Sequence, residues 1–590
     1  MRTPGWGGGS RRRTLLAGRT AKAAPAVACA FALLAAAPAS AAIPAGWTIP
    51  AGSAIAGSAQ LTAPPAAAGL AAGTAAAGAG GPAGAGGTAG GASRQHRIKV
   101  LTAVLTNMRE HFAKYRSFTP GPQDIFDYQV GSLWKQGIDG YGTTVAVIEG
   151  WDDPDIAQVV AGYDRKFGLP NPQIKTVFPA GPLPAKCPPG MQKLGSYGSC
   201  AAWRGELELD VISAHLIAPY AKIVISATPA DTQITDDAAS QVAPPEMMKA
   251  LEYISQRHLA NAISISDGTG EITYSHGADE ITAQDPGELT AAAAGIPVMV
   301  ATGDCGVVQN LAVASGQCAD TSATPDTAAW DDSPWVTAVG GSVPNLTKTG
   351  AKAGPDPLWH GSGAGFSSVF GRPSYQDGVA GHTGSAMRSV PDITMDSQDG
   401  TSEAAPLFAG LMALATQLNH GNVGPVNPAL YQIVGPAGSA GGVADVVRGN
   451  DSTRTVPGFT AGQGFDVASG WGTVNASRFV PSLVTATRTE ADEALARQQA
   501  RGQLTHLEHG IQLSGGGTSG HQLYLLDQGF LPRHPVVLAI DGHRIATLTA
   551  STSGYVTDMI SPAKLKLRPG RHVLTLTSML LTASTTFSTG

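Results

Sequence analysis

The chain has 590 residues and a formal net charge of −6, with 44 acidic side chains against 38 lysines and arginines. This length is more than one ordinary hydrophobic core needs, so we expect two folded domains together with non-globular segments. An acidic balance of this kind excludes nucleic acid and anionic membrane surfaces as natural partners.

Residues 1–41 have the form of an export signal. Six basic residues precede an apolar run from about Ala23 to Ala37, and a small-residue cleavage site ends at Ala41. An uncleaved anchor is the alternative, but the run is short for a membrane span. Cleavage would remove six positive charges and take the net charge from −6 to −12. The mature chain is therefore predicted to be secreted and extracellular, without a membrane span and with cell-wall association left open.

Two further segments precede the first folded domain. Residues 42–93 contain no charged residue and consist mainly of alanine, glycine and proline, a composition that cannot bury enough surface to offset its ordering entropy. Residues 94–116 are basic and carry an apolar period that predicts a short amphipathic helix. Its apolar positions are Val100, Leu101, Val104, Leu105, Met108 and Phe112. We assign residues 42–116 to a linker and a short pro-segment.

Ser402 follows a loop of small and polar residues and precedes an apolar run at helical spacing. This pattern places Ser402 in the first turn of a buried helix, where unpaired backbone N–H groups favour negative charge beside its hydroxyl. Pro406 lies early enough in such a helix to be tolerated. The alternative is a serine that only caps a core helix.

A pair of carboxylates offers a proton acceptor for this serine. Glu206 and Asp210 are four residues apart and therefore share one face of a predicted helix, whereas Glu208 points elsewhere. One such carboxylate can take a proton from a nucleophile while the other holds the first in place. None of the 14 histidines stands in a context typical of a serine-protease base. Alone, the acidic pair would be interpreted as a solvated helix face.

These motifs and several others resemble, in their order and spacing, the sedolisin family of serine-carboxyl peptidases. The resemblance runs from about Phe118 to about Leu483, and we assign residues 117–484 to the peptidase domain. The other matching stretches are Thr144–Glu149, Ile263–Ser266, Gly303–Gly306, Ser333–Gly341 and Val390–Ile393. The resemblance implies a subtilisin-like fold, a mainly parallel sheet covered by helices, and a serine-type peptidase acting at acid pH on peptide or protein substrates.

The resemblance also implies a role for each candidate site residue. Ser402 would attack the peptide carbonyl, Glu206 would be the general base, and Asp210 would hold Glu206 and tune its pKa. Asp304 would donate a hydrogen bond to the oxyanion, which a carboxyl does only in its protonated form. Glu149 matches a position that extends the carboxylate chain in some relatives.

A loop downstream of the serine resembles the calcium site of the family. By resemblance the Ca²⁺ ligands would be the side chains of Asp445 and Asp466 and the backbone carbonyls of Val446, Gly462 and Gly464. Calcium prefers such oxygens, and glycines let the chain turn its carbonyls inward. The alternative is a glycine- and aspartate-rich turn that holds no ion.

Four cysteines follow the signal, and in an exported chain they predict two disulfides. Sequence alone allows three pairings, and the natural interpretation joins Cys187 with Cys200 and Cys305 with Cys318. A zinc site is disfavoured because no second ligand lies at zinc spacing near either pair.

Three features depart from the family pattern. Members usually carry a long folded propeptide, whereas this chain leaves room only for a shortened one or for a different maturation. Pro391 and Gly400 are nine positions apart, which leaves out the hairpin that usually precedes the serine. Asp267 stands where some relatives have an aromatic residue behind Glu149. The first two departures support an alternative function, a catalytically impaired sedolisin-like binding or cell-surface protein.

Alternating strands and helices predict a parallel α/β sheet with sites at the carboxyl ends of its strands. The predicted strands are 143–148, 221–226, 262–266 and 297–301, and the predicted helices are 207–216, 244–257, 289–294 and the one after Ser402.

Residues 485–590 are assigned to a connecting helix and a small immunoglobulin-like β-sandwich. Short strands of period 2 alternate there with Asp-Gly, Ser-Gly and Pro-Gly turns. This domain carries no catalytic constellation, and substrate capture, wall attachment and packing on the peptidase are all open as its role.

Overall fold

The computed structural model describes residues 92–179, 181–187, 199–228, 245–268, 270–274, 277–282, 285–309, 311–312, 317–318, 324–489, 512–514, 523–527, 530, 535–550, 556–578 and 581–589. The predicted export signal, nearly all of the alanine- and glycine-rich linker and most of the predicted connecting helix lie outside these residues. No helix within these ranges combines the length and the hydropathy that a bilayer span requires.

Three helices matter most for the site, and we call Arg94–Glu110 the N-terminal helix, Cys200–Ile217 the acidic helix and Thr401–Asn419 the serine helix. The other α-helices are Phe112–Tyr115, Pro122–Asp127, Gly131–Trp134, Ile156–Phe167, Pro245–Gln256, Ala278–Thr282, Pro286–Ala294, Ala380–Thr383, Asn427–Ala429 and Ala476–Thr489. Short 3-10 helices cover Glu271–Thr273, Ser374–Val379 and Gly438–Ala440, and a π-helix covers Leu430–Val434.

The strands of the first domain are β1 Thr144–Glu149, β2 Ile174–Val177, β3 Lys222–Ala227, β4 Ala262–Ile265, β5 Val298–Ala301, β6 Leu311–Ala312, β7 Gln317–Cys318, β8 Thr337–Ser342, β9 Gly365–Gly371, β10 Met387–Val390, β11 Ile393–Asp396, β12 Val443–Ala444 and β13 Thr473–Val474. Those of the C-terminal region are β14 Gln512–Ser514, β15 Leu523–Asp527, β16 Pro535–Ile540, β17 His543–Thr549, β18 Val556–Ile560, β19 Gly570–Ser578 and β20 Leu581–Thr589.

Seven strands form the central sheet, in the order β11-β8-β5-β4-β1-β3-β2. All neighbouring strands in this sheet run parallel. The predicted mainly parallel α/β sheet is thus confirmed. The acidic helix begins earlier than predicted, at Cys200, because Ser199 caps it by accepting the Ala202 N–H at 3.2 Å.

Alternate residues of β1 enter two separate cores. Val145 and Val147 pack on the side of the acidic and serine helices. Ala146 and Ile148 pack on the opposite side, against the helix Pro245–Gln256. Both faces of the strand are therefore buried, which explains why its four central residues are all apolar rather than alternating.

The N-terminal helix belongs to the first of these cores. Leu101, Val104 and Met108 are at most 2% exposed and share a cluster with residues of the serine helix. Arg97 Nε also donates a hydrogen bond to buried Asp139 Oδ2 at 2.8 Å. Because this helix completes the core, we propose that the folded domain begins with it rather than at residue 117.

The C-terminal region contains two antiparallel sheets, β14-β15-β18 and β17-β16-β19-β20. Leu525 and Val556 of the first sheet share one hydrophobic core with Leu538 and Leu574 of the second. Its immunoglobulin-like topology stays a prediction.

Candidate active site

The serine helix and the acidic helix lie side by side and in the same direction, because a single glycine lets them approach. A Cβ atom on Gly410 would lie 2.7 Å from Ile217 Cβ and 3.0 Å from the Ala214 carbonyl oxygen. Any larger residue there would force the two helices apart. Eight residues earlier on the serine helix, the same close packing brings Ser402 to Glu206.

The Ser402 hydroxyl lies close enough to the Glu206 carboxyl to influence its pKa. Both residues are partly exposed, so a substrate has access to them. Burial raises the pKa of Glu206 to about 7, the neighbouring Ser402 hydroxyl opposes this rise, and the charge of Asp304 adds to it. Glu208, by contrast, lies near Asp153, whose charge together with burial raises the pKa of Glu208. Glu206 is therefore the carboxyl placed to accept the serine proton.

Asp210 lies one helical turn beyond Glu206 and is fully buried. Ser266, just after β4, donates its hydroxyl to Asp210 Oδ2 at 2.8 Å and lies 3.3 Å from the Ser402 carbonyl oxygen. Burial and the charge of Glu206 raise the pKa of Asp210, while the hydrogen bond from Ser266 lowers it. The sequence motif contained Ser266 but could not identify its partner.

Glu149, the last residue of β1, is fully buried behind Asp210. Burial raises the pKa of Glu149, and the charges of Asp210 and Glu206 raise it further. Asp267 Oδ1 accepts the Gly268 N–H at 2.8 Å, and burial raises the pKa of Asp267.

Asp304 follows β5 and contacts the turn that leads into the serine helix. The Thr401 N–H and hydroxyl both donate to Asp304 Oδ1, at 2.8 and 3.0 Å, and the hydroxyl accepts the Gly303 N–H at 3.0 Å. Gly400 has φ +89°, and a Cβ there would lie 2.6 Å from Asp304 Oδ2, so only glycine admits the carboxyl. Burial raises the pKa of Asp304, although both Thr401 bonds lower it. Thr401 was not singled out as a site residue from sequence.

Two disulfides flank these elements. Cys187 pairs with Cys200 at the start of the acidic helix, and Cys305 pairs with Cys318 directly after Asp304. The two local pairings preferred from sequence are confirmed, and each ties a loop to an element that carries a candidate site carboxyl.

The predicted calcium loop has oxygen atoms of the kind that bind such an ion. Asp466 Oδ2 accepts the Gly462 N–H at 2.8 Å, and Asp445 Oδ2 accepts the Gly464 N–H at 2.9 Å. Asp445 Oδ1 is buried without a hydrogen-bond partner. Among the hydrogen bonds between described residues, none ends on the carbonyl oxygens of Val446, Gly462 or Gly464. Free carbonyls and an unpartnered carboxylate oxygen fit a calcium ion.

No family model matches the chain. Kumamolisin of Bacillus sp. (strain MN-32) is 27% identical over 409 residues, which cover 64% of this chain and 66% of that protein. Sedolisin of Pseudomonas sp. (strain 101) is 28% identical over 315 residues, which cover 48% of this chain and 50% of that protein. By sequence, the chain is similar to these peptidases of the sedolisin family. The matches thus span less than two thirds of the length of these curated sedolisins.

Other sedolisin-family relatives match shorter parts of this chain. Human tripeptidyl-peptidase 1 is 28% identical over 235 residues, which cover 33% of this chain and 38% of that protein. A solved structure of Pseudomonas sedolisin complexed with two molecules of pseudo-iodotyrostatin also matches. The match covers 59% of this chain and 94% of the sedolisin chain, with 24% identity and a TM-score of 0.48.

Proposed function

We propose that this chain is a secreted serine-type peptidase of the sedolisin family that hydrolyses peptide bonds at acid pH. The observation that carries the proposal is the placement of the Ser402 hydroxyl beside the Glu206 carboxyl, close enough to lower its pKa. It is supported by Asp210, which lies behind Glu206 and accepts the Ser266 hydroxyl at 2.8 Å. A nucleophile, a base and a group that holds the base are the three parts that acyl transfer needs.

In the proposed reaction, Ser402 Oγ attacks the peptide carbonyl carbon while Glu206 takes the hydroxyl proton. Glu206 then gives this proton to the leaving amine as the C–N bond breaks and an acyl-enzyme remains. In the second half, Glu206 takes a proton from water as the water attacks the ester, and it returns this proton to Ser402 Oγ as the C–O bond breaks and the acid is released. Asp304 Oδ1 accepts two bonds from Thr401, so Oδ2 is left to carry the proton that stabilises the oxyanion.

We propose that Asp445, Asp466 and the carbonyls of Val446, Gly462 and Gly464 hold calcium. The ion would supply positive charge that cross-links this loop, and it would take no part in bond breaking. Asp445 and Gly464 also line a depression of about 540 Å³, through which a chelator could reach the ion.

Secretion is supported by the predicted export signal and by the two disulfides, which form in oxidising compartments. The C-terminal sheets, proposed to be an immunoglobulin-like sandwich, would then serve outside the cell, in substrate or cell-wall binding. This part of the proposal is independent of the peptidase chemistry.

The second candidate is a catalytically impaired binding or cell-surface protein. It is favoured by the short turn of residues 397–400, which joins β11 directly to the serine helix. This turn leaves out the hairpin that would contribute substrate contacts near Ser402.

A labelling experiment separates the two candidates. The secreted chain and its Ser402→Ala variant would be treated with a peptide aldehyde at acid and at neutral pH, and adducts would be measured by mass spectrometry. Hydrolysis of a peptide library would be followed in parallel. The peptidase proposal expects an adduct and cleavage in the wild type only. An unlabelled, inactive wild-type protein would favour the binding function.

A further inference from the structure

Three carboxyls meet behind the candidate active site, and each comes from a different element. Asp124 lies on the helix Pro122–Asp127, Asp396 ends β11, and Glu403 follows Ser402 in the serine helix. Each is 0% exposed, and one ligand oxygen from each lies within 4.8 Å of the others. In the part of the chain that the structure describes, this is the only such group of three or more potential metal-ligating side chains.

Backbone amides hold each of these carboxylates through one oxygen. The bonds run from Gly121 N–H to Asp124 Oδ2 at 2.8 Å, from Gln398 N–H to Asp396 Oδ1 at 3.1 Å and from Asp399 N–H to Glu403 Oε2 at 3.1 Å. Asp124 Oδ1 and Glu403 Oε1 are buried, and no N–H or hydroxyl donor reaches them. The carboxylates are thus oriented in advance, and two of their oxygens still lack a positive partner.

No basic side chain balances the charge of this group. Burial raises the pKa of all three carboxyls, and the groups that raise it further are other carboxylates, namely Asp127 and Asp399 besides the three themselves. The nearest other titratable groups are the phenols of Tyr128, whose oxygen accepts the Asp396 N–H, and Tyr163. Three buried carboxylates without a cation are costly, so they require either shared protons or a bound metal ion.

We propose that Asp124, Asp396 and Glu403 bind one divalent cation of the oxygen-preferring class, such as Ca²⁺. Three carboxylate oxygens at this separation suit such an ion, and water would complete its shell. The ion would join two other elements to the serine helix, one residue beyond Ser402. This site is separate from the calcium loop at Asp445 and Asp466.

The test counts metal ions in the full chain and does not depend on peptidase activity. Asp466→Ala first removes a ligand of the calcium loop. The protein is treated with chelator, dialysed at neutral pH against dilute calcium chloride, where protons compete least for carboxylates, and analysed for bound calcium. We expect one ion per chain in Asp466→Ala and none in the double variant Asp466→Ala/Glu403→Gln.

A matched control keeps the comparison specific. Glu252 is a buried carboxyl on the helix Pro245–Gln256, and adding Glu252→Gln to Asp466→Ala should leave the single ion in place. Asp396→Asn is the second test variant, in case Glu403→Gln does not fold, and circular dichroism reports the fold of each protein.

Two results would overturn the proposal. One is an Asp466→Ala protein that is folded and binds no calcium, which would mean that shared protons hold the three carboxyls. The other is one bound calcium ion per chain that remains when either Glu403→Gln or Asp396→Asn is added to Asp466→Ala. Loss of the ion with either folded variant, and not with Glu252→Gln, supports the site.

Discussion

At the scale of single residues, the candidate site is a row of carboxyls with different tasks. Glu206 faces the serine, Asp210 lies behind Glu206, and Glu149 lies behind Asp210 at the end of β1. Burial raises the pKa of all three carboxyls. Because they lie close together, the charge of one also raises the pKa of its neighbours. Two predictions concern this row.

Ser402→Ala and Glu206→Gln should each lower kcat/KM by roughly four orders of magnitude or more, because nucleophile and base act as one unit. The double variant should lose little beyond either single one. Glu208→Gln is the control, since this neighbour on the acidic helix lies near Asp153 instead. Kinetics with a cleaved library peptide would decide, and a fully active Ser402→Ala protein would refute the assignment.

The pH profile follows from the interacting charges of Glu206 and Asp304. Protonation of Asp304 removes a charge that raises the pKa of Glu206, so it favours the ionised base. When both carboxyls are protonated, Glu206 is neutral and cannot act as the base. When both are ionised, Asp304 has lost the proton that it donates to the oxyanion. With the pKa of Glu206 raised to about 7, we expect a bell-shaped kcat/KM with its optimum below neutral pH.

Asp304→Asn provides the check on this profile. An amide donates without titrating, so the variant should keep reduced activity but lose the alkaline limb. Activity of the unaltered chain that rises through neutrality to an alkaline plateau would contradict the role given to Asp304.

At the scale of elements, the site depends on how closely two helices approach. Gly410→Ala would place a methyl group within 3.0 Å of Ile217 and Ala214. We expect a loss of about 1–3 kcal/mol of unfolding free energy and a lower kcat, because the serine helix moves relative to Glu206.

Gly205→Ala is the control for that change. Gly205 also lies inside a helix, but no atom lies within 4 Å of a Cβ placed there, so alanine should be neutral or stabilising. Denaturant unfolding of both variants would test the comparison, and equal effects would mean that helix packing is not the cause.

The calcium loop gives another prediction at this scale. A chelator or Asp466→Ala should lower the Tm, because an ion that binds only the folded chain stabilises it by mass action. Added calcium should restore the chelated wild type but not the variant. Asp377→Ala, which changes a largely exposed carboxylate, should leave the response to chelator unchanged. A Tm that does not change when chelator is added would contradict calcium binding by this loop.

At the scale of the whole molecule, buried carboxyls make stability depend on pH. Burial raises the pKa of Glu252 to about 7 and that of Asp285 to about 8, whereas both ionise near pH 4 in an unfolded chain. The folded state therefore binds more protons between about pH 4 and about pH 8, and stability must fall as pH rises through this window.

We expect the Tm to be highest on the acid side of this window. Glu252 alone should account for a loss on the order of 3 kcal/mol by neutral pH. Unfolding of the wild type and of Glu252→Gln across the window would measure it, and the variant should show a shallower slope. A Tm that increases as the pH is raised to neutral would contradict the predicted direction of the pH dependence.

Much of this molecule is decided by the sequence itself. Helical and strand periods report local geometry, so the strands, the serine at a helix start and the shared face of Glu206 and Asp210 were predictable. The local spacing of the cysteines likewise favoured the two disulfides that the structure contains.

Only the tertiary structure decided which distant residues meet. The order β5-β4-β1 brings together Asp304, Ser266 and Glu149, which follow or end three neighbouring strands. Asp124 and Glu403 are far apart in the chain, and no periodic pattern connects them to Asp396. A sequence pattern reports the neighbours of a residue along one element, whereas these contacts arise from how separate elements pack, and packing is set by the whole core.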